Sequence, residues 1–293
     1  MPLNHFPLIL LLILMACTSG RAQNLEENYE LPSLSPLGKV EQIVGNTTIT
    51  VTYERPSARG RKIFGGLVPW DKVWRTGAGH CTKIAFDRDV ILGQQEVPAG
   101  KYSLFTIPGK KEWMIILNAD TTLYGSPDYD TTKDVARFRV PAGRSHRSYE
   151  ALTIDVDIIP DNAYLYISWA NTQVRFLMET STEMELLAHV DRLLQQPITK
   201  DTEYGWPAEH LLLRRQYLAK ALALTERQLA VGEGTYVFSL RMQIFEYQGY
   251  PEKALESVQK AVVFRKANPL DEKNQAWSLN YWAEQEKRIK GKL

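Results

Sequence analysis

Cysteine is nearly absent. The 293 residues hold two thiols, Cys17 and Cys81, and Cys17 sits in a segment that export would remove or acylate. An intramolecular disulfide is therefore excluded, and stability has to come from packed apolar cores. A dominant sign of charge is missing too: 35 Lys and Arg face 34 Asp and Glu, for a net charge of +1. No global field draws such a chain toward nucleic acid or anionic lipid, and nucleic-acid binding is set aside. The apolar run at residues 6–16 (FPLILLLILMA) is too short to span a bilayer. Histidine is scarce, and His80, His146, His189 and His210 show no ligand spacing such as His-Glu-x-x-His. No metal and no cofactor is called for.

Standard catalytic and phosphate-binding signatures are lacking as well. Gly65-Gly66 and Gly77-Ala78-Gly79 are glycine-rich, yet no Gly-x-Gly-x-x-Gly or Gly-Lys-Ser/Thr leads from a strand into a helix. No Gly-x-Ser-x-Gly elbow occurs. Cys81 follows His80 directly, but neighbours on a strand point to opposite faces, so adjacency does not make a nucleophile–base pair. The pairs Asp87/Asp89 and Asp155/Asp157 sit at strand spacing and read as a solvated face rather than a glycosidase dyad. No residue is assigned a catalytic role.

The N-terminus is what an exported chain needs. Residues 1–22 read as a signal peptide, with an apolar core but no Lys or Arg before it. Two processing sites compete. Leu14-Met15-Ala16-Cys17 has the form of a lipobox that would leave Cys17 acylated, whereas Gly20-Arg21-Ala22 satisfies the small-residue rule and would leave Gln23 first. Either way the expectation is an exported protein, in the periplasm or as an outer-membrane lipoprotein, touching membrane only through such an anchor. Residues 23–38 are polar and proline-punctuated and read as a linker.

From residue 39 to about 180 the apolar period is two. Strands are expected at 48–53, 83–92, 101–107, 112–118, 135–140, 152–159, 163–169 and 173–178, with turns at 97–100, 108–111, 161–162 and 171–172. Short strands with no helices between them predict a mostly β domain, an antiparallel β-sandwich or barrel-like fold, with a mixed α+β domain as the alternative. Near residue 181 the period becomes helical, and an all-α domain is expected over 181–293. Thr182 and Glu185 have capping-box spacing. Helices are expected at 182–196, from Pro207 toward Gly232, at 235–247, at 251–266, and from Asp271 toward Ile289. The third and fourth resemble a tetratricopeptide helical hairpin: Phe238, Phe245, Gly249, Ala254 and Ala261 fall at its spacing. Met242 replaces the usual small residue, and the closing proline is displaced to Pro269. One pair is fewer than a solenoid needs, so a short helical-hairpin domain is expected, packed on the sandwich or on a protein partner.

Residues 55–82 (RPSARGRKIFGGLVPWDKVWRTGAGHCT) are the unusual stretch. Two tryptophans, five glycines and two prolines separate two strand-like runs. That is too long for a hairpin turn, and ordered loops of this length are often functional. Its Arg55, Arg59, Arg61, Lys62, Trp70, Trp74, Arg75 and His80 are the candidate ligand-binding residues. Guanidinium forks suit carboxylate, sulfate or phosphate groups, and indole faces suit sugars. A purely structural reading of the same residues has Phe64, Trp70 and Trp74 capping the sandwich and Arg75 paired to a buried acid.

With residues 60–78 (GRKIFGGLVPWDKVWRTGA) in hand, the chain resembles the exported bacterial family catalogued as domain of unknown function 2911. Tyr53-Glu-Arg-Pro56, residues 97–108 (VPAGKYSLFTIP), Asp134-Val-Ala-Arg137, Glu150-Ala-Leu-Thr153 and Ser168-Trp169 also fit, over residues 35 to 180. The family implies no established activity. Where relatives often read Asn-Glu-Ala-Thr, this chain has Gly79-His80-Cys81-Thr82, which removes any role for an acid there. The expectation is a non-catalytic binding or assembly module of the cell envelope, holding a small anionic or glycan ligand. The alternative is an uncharacterised hydrolase with its site under the 55–82 loop.

Overall fold

The computed structural model describes residues 30–200 and 202–293. The expected export segment, with Cys17, and residues 23–29 of the lead-in lie outside the described residues. Among the described residues nine strands come first: β1 (Leu37–Val44), β2 (Thr47–Glu54), β3 (Thr82–Phe86), β4 (Val90–Leu92), β5 (Gln95–Val97), β6 (Gly100–Pro108), β7 (Glu112–Asn118), β8 (Asp134–Ile159) and β9 (Asn162–Thr180). Their order is β1-β2-β3-β6-β7-β8-β9-β4-β5, and every pairing is antiparallel. The sheet does not close into a barrel.

β8 is the strand that folds the sheet over. Its first part, Asp134 to Pro141, pairs with β7, and Ala142 onward pairs with β9. Register shifts at Arg144/Tyr149 and Tyr149/Thr153 bend it, as bulges do. Alternate residues of β2 (Ile49, Val51, Tyr53) and β9 (Leu165, Ile167, Trp169) then share one core. Tyr53 Oη reaches across it to accept from the amide of Ile154 at 2.8 Å.

Three strand boundaries differ from the sequence expectation. Residues 135–140 and 152–159 are one strand, because the bulged segment between them stays paired. The turn expected at 171–172 is a kink within β9, absorbed by Ala170 at φ +50. Conversely, 83–92 breaks into β3 and β4, where Asp87 accepts from the amide of Thr48 at 2.7 Å and so fixes a turn.

Six α-helices follow: α1 (Thr182–Gln195), α2 (Gly205–Leu213), α3 (Leu218–Val231), α4 (Thr235–Tyr247), α5 (Pro251–Ala267) and α6 (Glu272–Lys290). The single helix expected from Pro207 to Gly232 is two, since Arg215 and Tyr217 take left-handed φ values of +53 and +54. α4, α5 and α6 pack through Phe238, Phe245, Ala254, Val258, Ala261 and Trp282. The capping box is not formed. Ser181 holds the N-cap position, its hydroxyl donates to Glu185 at 2.7 Å, and Thr182 Oγ1 accepts instead from the amide of Asn46 at 2.9 Å.

That last contact belongs to the junction between sheet and helices, which is polar. Among the described residues, the core of the sheet domain contains no residue beyond Met178, and the helical clusters begin at Leu186. The junction is held by Asn46 on Thr182, by Arg88 Nη1 on Glu185 at 3.0 and 3.1 Å, and by Arg214 on Asp161. Gly45, at φ +55, makes the close approach to α1: a Cβ there would lie 2.2 Å from Thr182 Oγ1. Gly45→Ala combines left-handed strain with that clash and should cost about 2 kcal/mol, read as a lowered urea midpoint. An unchanged midpoint would contradict the docking of this turn on α1.

Candidate functional site

The loop after β2 is stitched to the sheet along its whole length. It leaves on Arg55, whose guanidinium donates to Leu152 O and Thr153 Oγ1, both at 3.1 Å. The amides of Ala58 and Arg59 donate to Glu150, to its backbone O and its Oε1, each at 2.7 Å. A tight turn then folds Val68 N back on Ile63 O at 2.9 Å and drives Phe64 inward. Finally Trp74 exchanges both backbone bonds with Thr106 of β6, at 2.7 and 2.9 Å. Backbone groups that would otherwise be orphaned beneath a long loop are satisfied in this way.

Aromatic packing fixes the loop in depth. The Phe64 ring meets Trp113 of β7 at 4.9 Å and Trp70 at 5.9 Å, and Trp74 stacks on Trp169 of β9 at 5.9 Å and 19°. Edge-to-face and stacked pairs of this kind contribute about 0.5–1.5 kcal/mol each beyond area burial. Gly65 is required here: at φ +74, a Cβ would fall 2.2 Å from Trp70 Nε1. Three non-glycine residues of the loop, Arg59, Asp71 and Thr76, also lie in the left-handed region. Thr76 is β-branched, so its φ of +56 is a real outlier. It is held by Thr82 Oγ1, which donates to Thr76 O at 2.7 Å. Such strain persists where surrounding contacts over-determine it, and it clusters at functional segments.

Between this loop, the lead-in and Trp169 is a cavity of about 510 Å³. Arg59, Arg61, Lys72 and Arg75 line it together with Trp74 and Trp169, and among the described residues no Asp or Glu does. None of the four cations is ion-paired with a carboxylate among the described residues. Arg59 and Arg61 are braced by carbonyls: Arg59 Nη2 on Leu34 O at 2.8 Å, Arg61 Nη2 on Ser57 O at 2.6 Å and Arg61 Nε on Ala58 O at 3.0 Å. Arg75 Nε is buried with no hydrogen-bond partner. Among the described residues no acid pairs with Arg75 as the structural reading had it, although Phe64, Trp70 and Trp74 do pack against the core of the sheet domain.

Residues 35–178 match the model of the family described as protein of unknown function (DUF2911). The matched span takes in all nine strands and the loop, and stops two residues short of the end of β9. No curated protein and no solved structure matches the chain.

Of the eight candidate residues, the fold of the sheet domain brings Arg59, Arg61, Trp74 and Arg75 to the cavity. Arg55 is spent on β8. Lys62 and Trp70 do not line the cavity, and Trp70 lies against Phe64. His80 is exposed on the ring of Tyr124 at 5.0 Å, with its amide on Glu54 Oε1 at 3.1 Å. Lys72 and Trp169 were not among the candidates; Lys72 carries no signal beyond its place in the loop, and Trp169 reaches the site only because β9 lies alongside.

The groups with nucleophilic chemistry lie elsewhere in the sheet domain. Cys81 is buried, its thiol donates to Gly125 O at 2.9 Å, and burial pushes its pKa up, which disfavours the thiolate. Lys83 Nζ donates to Ser103 Oγ at 2.8 Å, and burial lowers the Lys83 pKa, a pairing with the elements of a Ser–Lys dyad. Ser103 is fully buried, however, and its hydroxyl donates to Asp120 O at 2.7 Å. Asp87 accepts from the amide of Thr48 in β2 and Asp89 from that of Ala99 between β5 and β6, at 2.7 Å each. In a Cys17→Ser background, Cys81 should react with a disulfide reagent only at the rate of unfolding. Labelling of the native protein within seconds would contradict this burial.

Proposed function

We propose that the protein is a non-catalytic binding or assembly module, exported to the cell envelope, whose loop cavity holds a small anionic ligand, including a sugar acid. One observation carries the reading: four cationic side chains without an ion-pair partner and the half-buried Trp74 line a cavity to which no carboxylate among the described residues contributes. A near-neutral protein that concentrates one sign of charge in a concave, partly apolar wall focuses its field there. A carboxylate on the Arg75 guanidinium would form charged hydrogen bonds, which contribute about 1.5–3 kcal/mol. The half-buried indole of Trp74, with the buried Trp169 stacked against it, suits the apolar side of a pyranose ring.

The helical domain is read as the part that docks a protein partner. The small residues Ala254 and Ala261, fully buried where α4 and α5 pack, and Gly249 at φ +78 after α4 support the tetratricopeptide-like reading of that pair. Grooves between paired helices hold peptides in this way. The expected anchor at Cys17 would make the membrane contact. The hydrolase reading has less behind it, because Cys81 and Ser103 lie outside the cavity and are buried.

Titrating the full chain with glucuronate and with glucose tests the ligand class. Glucuronate should raise the thermal midpoint, glucose should not, and Arg75→Gln should weaken glucuronate binding about tenfold, the equivalent of about 1.4 kcal/mol. An equal response to both sugars, or a response that Arg75→Gln leaves intact, would remove the cavity from the account.

A further inference from the structure

A second cavity, of about 420 Å³, lies at the polar junction between the sheet and the helices. The β1–β2 turn (Gly45, Asn46) and the β8–β9 turn (Asp161) form one wall, and α1 and α2 form the other. Helical spacing explains what α1 and α2 present. Glu185, His189 and Arg192 stand at i, i+4 and i+7 on one face of α1, and His210 and Arg214 stand at i and i+4 on α2. Two imidazoles and two guanidiniums therefore converge on a space bordered by two carboxylates.

Both carboxylates are already engaged. Asp161 takes Arg214 through Nε at 2.9 Å and through Nη2. Glu185 accepts from Ser181 Oγ at 2.7 Å, from Arg88 Nη1 at 3.0 and 3.1 Å and from Asn46 Nδ2 at 3.4 Å. The Ser181 hydroxyl first, and Asn46 and Arg88 after it, hold its carboxyl below the usual range, so it stays charged and occupied. Arg192 has no ion-pair partner among the described residues, and neither imidazole donates to a protein acceptor there. What is left over in this cleft is donor capacity and positive charge.

We propose that this cleft binds a phosphate group, held by His189 and Arg192 of α1 and by His210 of α2. Planar guanidinium and imidazole N–H groups converging from two helices match the tetrahedral oxygens of that group. The volume leaves room for a small organic remainder, so the group is either free phosphate or the end of a phosphomonoester. Each of the three donors belongs to the helical domain, while the opposite wall belongs to the sheet. An occupant therefore bridges the two, and by reciprocity whatever loosens the junction weakens binding. The inference is independent of the loop cavity.

Calorimetric titration of the full chain with inorganic phosphate and with glycerol 3-phosphate tests it. Both should bind, and tighter binding of glycerol 3-phosphate would assign the site to a phosphomonoester, equal binding to the free anion. The exposed pair His189→Gln/His210→Gln should weaken binding at least about tenfold, Arg192→Gln similarly, and Gly45→Ala measurably, whereas Arg75→Gln should leave it unchanged. No heat with either anion, or binding that survives the His189/His210 double change, would overturn the proposal. Loss of binding in Arg75→Gln would place the anion in the loop cavity instead and would overturn it equally.

Discussion

The contact on which the sheet domain's surface depends is aromatic. Phe64 and Trp74 come from a connection with no regular structure, and Trp113 and Trp169 come from strands on different parts of the folded sheet. Their rings interlock over the core, at centroid distances between 4.9 and 6.4 Å. A loop of this length has conformational entropy to lose, and this packing, with the two-way backbone pairing of Trp74 and Thr106, offsets it. Once the loop is pinned, its cations have little freedom. Arg59 and Arg61 are braced by carbonyls, and Arg75 lines the cavity while its buried Nε has no hydrogen-bond partner. The positive wall is thus a consequence of packing.

Much of the architecture was legible from period alone. The alternation of β2 and the change to helical spacing near residue 181 follow from which face each element buries. What was not legible depended on long-range contacts. The 26-residue length of β8 cannot be read from a segment as polar as Gly143 to Ser148, because its pairing with β9 keeps it extended. The break between α2 and α3 lies at Arg215 and Tyr217, neither of which is a turn-forming residue type. Within the site, Arg59, Arg61, Trp74 and Arg75 could be picked out because the loop is aromatic and cationic where a linker would be neither. Arg55 could not be separated from them, since its partners Leu152 and Thr153 are almost a hundred residues away. Trp169 is remote for the same reason.

The two halves of the chain solve the absence of disulfides differently. The sheet domain folds one sheet over on itself around a continuous apolar core, and the helices build two separate clusters. The contacts described above that join them are polar: the Gly45–Asn46 turn on Thr182, Arg88 on Glu185, and Arg214 on Asp161. Such a junction is sensitive to charge in a way that an apolar interface is not. The same property leaves two histidines and an arginine gathered at the seam.

Hydrogen exchange of the native protein tests the central claim, that the 55–82 connection is rigid because the sheet's own tryptophans clamp it. The amides of Trp74, Thr82 and Thr106 should exchange as slowly as those of β6 and β7, and Trp169→Ala should accelerate the loop amides while β2 and β3 stay protected. Exchange of Trp74 and Thr82 at the rate of an unstructured peptide in the unmodified chain would contradict the account.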